Sequence, residues 1–169
     1  MSTANKNRQG WFHRGQRWLY RHKRPNQLAR FLNRIWAVIH ASGIAPGYMA
    51  TLQVIGRKSG RIISLPVILA LYQKQPYLVS MLGDQAQWVL NVRAAKGKAF
   101  LWSGGRREIY LEEVPVEQRA PIIKAYLHRA PGGRPHIPVS KDAPLAEFET
   151  HAAAFPVFKI VPRSPEVKS

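Results

Sequence analysis

The stretch VIGRKSGRIISLP, residues 54–66, decides how the rest of the chain is read. It joins two runs rich in apolar and β-branched residues, YMATLQVI (48–55) and IISLPVILALY (62–72). Gly56 and Gly60 mark the turn between them, so the pattern predicts a β-hairpin. The tip of that hairpin carries Arg57, Lys58 and Arg61. In water, two unit charges about 4 Å apart repel by only about 1 kcal/mol, a cost a solvated turn tolerates. The alternative is that an anion sits there. Successive backbone N–H groups in a glycine-flanked turn make a concavity for one. Arg57 and Lys58 would add charge-assisted hydrogen bonds and Ser59 a hydroxyl donor. A nucleotide-binding P-loop is excluded, because that motif leads into a helix and a strand follows here.

Outward from the hairpin the language stays β with helices between. The run 62–72 is apolar on both faces, as in a closed or doubly covered sheet, and Pro66 marks an edge or a bulge in it. PYLVSML (76–82) reads as a further strand and AQWVLNVRAAKG (86–97) as a short helix ended by Gly97. KAFLWS (98–103) and REIYLEEV (107–114) form a second hairpin through Gly104 and Gly105. Residues 115–130 have helical spacing, with Pro121 in the first turn or at a kink. Residues 131–144 read as loop, 145–154 as a short helix, and FPVFKIVP (155–162) as a closing strand. The fold class this predicts is mainly β with α, a small barrel with helices packed outside it.

The chain of 169 residues has 26 Lys and Arg against 9 Asp and Glu, for a formal charge of +17. No acidic residue precedes Asp84. Such a field attracts polyanions: nucleic acid, anionic lipid or a phosphorylated cofactor. Nucleic acid ranks last, because the strand aromatics form no stacking platform. Before the barrel, residues 1–45 read as a basic helical arm, with 46–169 as the barrel domain. Leu28, Phe31, Leu32, Ile35, Trp36 and Ile39 follow helical spacing, with Arg30, Asn33 and Arg34 opposite. Trp11, Phe12, Trp18 and Leu19 lie among Arg and Lys, which fits a helix at an anionic membrane surface, so residues 9–40 are the expected membrane-facing part. No secretory signal or spanning run is evident, and the expected location is cytoplasmic, with the inner membrane face as a peripheral site.

The other chemistries are quickly weighed. With no cysteine in the chain, thiolate catalysis and cysteine-ligated metals are excluded. His128, His136 and His151 are too far apart for a helical metal motif, so no metal is expected. There is no nucleophile elbow, and Glu112 and Glu113 alternate faces on a strand. Chemistry carried by a bound cofactor fits this absence, and so does a non-enzymatic binder.

GRKSG (56–60), a proline-bearing strand RIISLPV, then YLVS, QWVLNVRA and FPVFKIVP, in that order over about residues 48–162, resembles the deazaflavin-dependent nitroreductase family. These are split β-barrel, FMN-binding-like proteins that use coenzyme F-420. The resemblance implies that Gly56, Arg57, Lys58, Ser59, Gly60 and Arg61 hold the coenzyme's phosphate. It implies that Leu65, Pro66 and Val67 line the deazaflavin ring, with Ser80 and Met81 closing over it and Trp88 and Asn91 fixing the next helix nearby. The activity implied is hydride transfer to a quinone or nitroaromatic, with Tyr126, His128 or His136 as proton donor. FMN is the alternative cofactor, and a lipid or small-molecule carrier on the same barrel the alternative function; an oligomer is left open. Two positions depart from the family's pattern. Ile63 stands where an arginine is common, and the short segment MLGDQAQ (81–87) brings Asp84, a charge that opposes a nearby phosphate.

Overall fold

The structure is a computed structural model that describes residues 46–163. The proposed basic arm and its membrane-facing helices lie outside the described residues. Among the described residues, seven antiparallel strands form one sheet: β1 (Met49–Ile55), β2 (Ile62–Ile68), β3 (Ala70–Tyr72), β4 (Gln75–Val79), β5 (Lys98–Trp102), β6 (Arg106–Glu113) and β7 (Val157–Pro162). Helix α1 (Gln87–Ala94) links β4 to β5, while α2 (Arg119–Arg129) and α3 (Leu145–His151) lie between β6 and β7. Pro121 falls in the first turn of α2, where its missing N–H costs nothing. Residues 131–144, read as loop, include a 3-10 turn at Pro131–Gly133.

The strand order is β2-β1-β5-β6-β7-β4-β3. Its two edges, β2 and β3, are consecutive in the chain and separated by Leu69 alone. A flat seven-stranded sheet would hold its edges about six strand spacings, nearly 30 Å, apart. One residue cannot span that, so the sheet must curl until its edges nearly meet. The result is a barrel split between β2 and β3, the predicted α+β split-barrel class. The sequence reading of 62–72 as one strand is corrected here. The chain leaves one edge at Ile68, and Leu69 donates its N–H to the Tyr48 carbonyl at 2.8 Å before Ala70 begins the other. Pro66 sits on the edge strand, opposite Thr51, with no bulge in the register.

Two cores result. Inside the barrel, Leu52, Val54, Leu78, Leu101, Ile109, Leu111, Phe158 and Ile160 pack together with Val89 and Val92 of α1. Outside it, Ile122, Ile123, Tyr126 and Leu127 of α2 and Phe148 of α3 cover the face of β4 and β7 that carries Val79 and Val157. β7 is thus buried on both faces, Val157 toward the helices and Phe158 toward the barrel, each about 1% exposed or less. Fully burying a side chain of Phe or Val size is worth about 1.5–3 kcal/mol, so the closing strand binds the two cores to each other.

Gly97 ends the α1 connection with φ +82°, a left-handed conformation, and its N–H reaches the Val92 carbonyl at 2.9 Å. A Cβ there would lie 2.7 Å from the Leu111 carbonyl oxygen. Gly97→Ala should therefore cost at least about 2 kcal/mol, from the left-handed backbone and the clash together. A urea-unfolding midpoint equal to that of the wild type would contradict this assignment.

Candidate functional site

The hairpin between β1 and β2 carries the basic turn as expected. Ile55 pairs with Ile62 at its base, and both are well exposed, giving an apolar platform under a cationic tip. The Gly56 N–H donates to the Arg61 carbonyl at 2.8 Å, and the Gly60 N–H to the Gly56 carbonyl at 2.7 Å. Ser59 N–H uses the same Gly56 oxygen, and Arg61 N–H donates to Ser59 Oγ at 3.3 Å. Gly60 has φ +66°, which its lack of a side chain permits.

This bonding changes the picture of the turn. The expected concavity of successive free amides is absent among the described residues, because the amides of Gly56, Ser59, Gly60 and Arg61 are used inside the turn. An anion here would meet side chains instead. Lys58 and the Ser59 hydroxyl stand exposed at the tip.

Arg57 is held from below by α1. Its N–H donates to Asn91 Oδ1 at 3.2 Å, and its guanidinium Nη1 donates to the same oxygen at 2.9 Å. Nη2 donates to Gln87 Oε1 at 3.2 Å. Gln87 and Asn91 are four residues apart and so share a helix face. Asn91 is 3% exposed, which makes its oxygen a fixed acceptor that water does not replace. The sequence reading placed Asn91 near the turn and gave Gln87 no role. Its i, i+4 spacing to Asn91 was the available signal.

The remaining residues implied by the resemblance divide between faces. Leu65 and Val67 pack toward the barrel core, as do Ile63 and Leu69, while Pro66 points to the other side of β2. The Ser80 hydroxyl is buried and donates to the Gly83 carbonyl at 2.8 Å, closing the turn after β4. Trp88 stacks at a tilt on Phe158, centroids 5.4 Å apart. Tyr126 is buried in the outer core, its hydroxyl donates to Met81 Sδ at 3.5 Å, and its ring packs on Gly133. Burial pushes its ionisation well above the usual phenol range. His128 and His136 are exposed.

Asp84 is accounted for by a neighbour. Arg93 of α1 meets Asp84 at 2.7 Å and Glu113 at 2.7 Å, and the buried Arg119 adds a contact to Glu113 at 3.1 Å while donating to the Val114 carbonyl at 2.8 Å. The Arg93 hydrogen bond holds the Asp84 carboxyl below its ordinary range. Two carboxylates against two guanidinium groups leave this cluster neutral, so Asp84 imposes no net negative field on the turn. Glu113, read from the sequence simply as a strand residue, is the centre of the cluster.

The curled sheet, the edge hairpin and the helix beneath it define a split-barrel protein of the FMN-binding-like fold class. No protein-family model matches the chain, and no curated protein matches its sequence. Among solved structures, it is similar to a protein of unknown function from Agrobacterium tumefaciens, with 8% identity and a TM-score of 0.52 over 76% of this chain and 55% of that one. An F420-H2 dependent reductase is 21% identical, with a TM-score of 0.45 over 67% of this chain and 93% of the other. A heme binding protein from Mycobacterium smegmatis is 16% identical, with a TM-score of 0.46 over 75% and 49%. What these likenesses share with the chain is fold.

Two outcomes follow from the clamp and the cluster. Asn91→Ala removes the acceptor shared by the Arg57 N–H and Nη1, leaving the guanidinium only Gln87, and should cost about 1–3 kcal/mol. Amide exchange at Arg57 should speed up at least tenfold, and unchanged exchange would mean that Asn91 does not hold the turn. Because the folded carboxyl of Asp84 titrates below its unfolded value of about 3.9, its pairing stabilises the protein above that pH and is lost as pH falls through the folded value. The stability gap between wild type and Asp84→Asn, read from urea midpoints, should be constant above about pH 5 and shrink toward zero below pH 4.

Proposed function

We propose that the protein is a deazaflavin-dependent oxidoreductase that binds coenzyme F-420 at the 56–61 turn and passes a hydride to a quinone- or nitro-type acceptor. The observation that carries this reading is the clamped turn. Arg57 is fixed by Asn91 and Gln87, and Lys58 and Ser59 stand beyond it, all on the turn that leads into the edge strand of a split barrel. The motif order that resembles the deazaflavin-dependent nitroreductases converges on this same place.

The donors present suit a phosphate. Lys58 offers an ammonium and Ser59 a hydroxyl, and Arg57 contributes charge from a guanidinium already immobilised. Pre-positioning lowers the ordering cost of binding, since less side-chain freedom is lost on contact. Ile55 and Ile62 below the tip supply apolar surface for a ring system. A reduced deazaflavin supplies a hydride when bound, and the chain's part is to orient it and exclude water. Of the proton-donor candidates, Tyr126 is committed to the outer core, whereas His128 and His136 are exposed. FMN carries a phosphate that the same donors would take, so it is the second reading.

The test is a fluorescence titration of the full chain with oxidised coenzyme F-420 and, separately, FMN. Binding of F-420 at micromolar concentration or tighter is expected. Lys58→Ala should weaken it by more than tenfold, in the range of one charge-assisted hydrogen bond of about 1.5–3 kcal/mol. Tight binding of FMN alone would favour the second reading, and binding of neither would refute both.

A further inference from the structure

A second site lies at the other end of the barrel. There a cavity of about 640 Å³ opens between the ends of β2, β5 and β7 and the beginnings of β4 and β6. Its walls are apolar, made by Leu69, Pro76, Leu101, Ile109 and Ile160. The seven residues of β2, at about 3.3 Å each, set it more than 20 Å from the basic turn. The size falls in the range of small-molecule sites.

Its rim is charged in a selective way. Arg107 lies opposite Leu101 in the β5–β6 register and two residues before Ile109, so strand alternation turns it to the inner face of the sheet. Arg107 lines the cavity and has no hydrogen-bond or ion-pair partner among the described residues. Among the described residues the one acid of the rim, Glu108, is taken by Arg163 at 2.5 Å. That pairing leaves a net positive mouth over an apolar interior. The Gln75 amide is occupied as well, donating to the Ile160 carbonyl at 2.8 Å.

We propose that this end of the barrel binds an amphipathic monoanion, an apolar body of roughly ten to twelve carbons with a single carboxylate head, the head on Arg107 and the chain against Leu69, Leu101, Ile109 and Ile160. Arg107 is exposed at the mouth of these apolar walls, where its guanidinium can hold a carboxylate in a bidentate pair while the attached chain lies against them. A neutral alcohol of the same length fills the apolar part and leaves the guanidinium unmet. The site is independent of the coenzyme reading, because it shares no residue with the turn.

The experiment is calorimetric titration of the full chain with monomeric dodecanoate and with dodecan-1-ol, paired with methyl NMR. Saturable dodecanoate binding in the micromolar range is expected, tenfold or more tighter than dodecan-1-ol. Shifts should concentrate on the methyl groups of Leu69, Leu101, Ile109 and Ile160. Arg107→Ala should erase the preference for the carboxylate while leaving the alcohol's affinity unchanged, and Arg107→Lys should restore part of it. Shifts elsewhere, equal affinity for both probes, or an unaltered preference in Arg107→Ala would overturn the proposal. So would pelleting with phosphatidylglycerol vesicles in the absence of dodecanoate binding, which would point to a membrane surface instead.

Discussion

Everything in this molecule depends on Leu69. It is the single residue between the two edges of a seven-stranded sheet, and one residue cannot separate edges that a flat sheet would place tens of ångströms apart. The sheet has to curl. Once it does, the inner face closes on Leu52, Leu78, Leu101 and Phe158, and part of the outer face is left to be covered by α2 and α3. β7 then sits between β6 and β4, so a strand from the end of the chain completes a sheet begun more than a hundred residues earlier. Long-range pairing of this kind is entropically expensive, and the burial of both faces of β7 is what offsets it.

Among the described residues, charge is resolved locally rather than globally. Where cations meet acids they form closed sets, as Arg93 and Arg119 do with Asp84 and Glu113, or Arg163 with Glu108. Arg106 finds another partner, stacking 3.7 Å above the Phe100 ring and donating to Gln53. Arg57 is held by neutral amides, which fix its position without cancelling its charge. A carboxylate in place of Asn91 would have cancelled the charge of Arg57, one of the turn's three cations. The amide keeps it both ordered and cationic, the combination an anion site requires.

The sequence showed both hairpins and the closing strand, because alternation and glycine punctuation are local signals, but it gave six strands where there are seven. The split between β2 and β3 was invisible for the same reason: Leu69 and its neighbours are all apolar, and no local residue type marks where a strand changes edges. At the site, the basic tip was legible from composition, whereas its amides were misjudged. Whether a turn's N–H groups face outward depends on its internal bonding, and the residues of GRKSG leave that open. The Glu113 cluster joins residues up to 35 positions apart, from Asp84 to Arg119, a link that no spacing rule reveals.

The two ends of the barrel differ because strand alternation runs past the core. On β6, the register that buries Ile109 and Leu111 also turns Arg107 inward, one step beyond the point where side chains still fill the barrel. A core position there would call for another leucine, which would close the cavity against Leu101 and Ile160. An arginine keeps it open, because a guanidinium without a partner must stay near water or near an anion. At the opposite end the cations lie exposed on a turn outside the barrel and shape no interior. The fold therefore carries an exposed cationic turn at one end and an apolar cavity with Arg107 at its open mouth at the other.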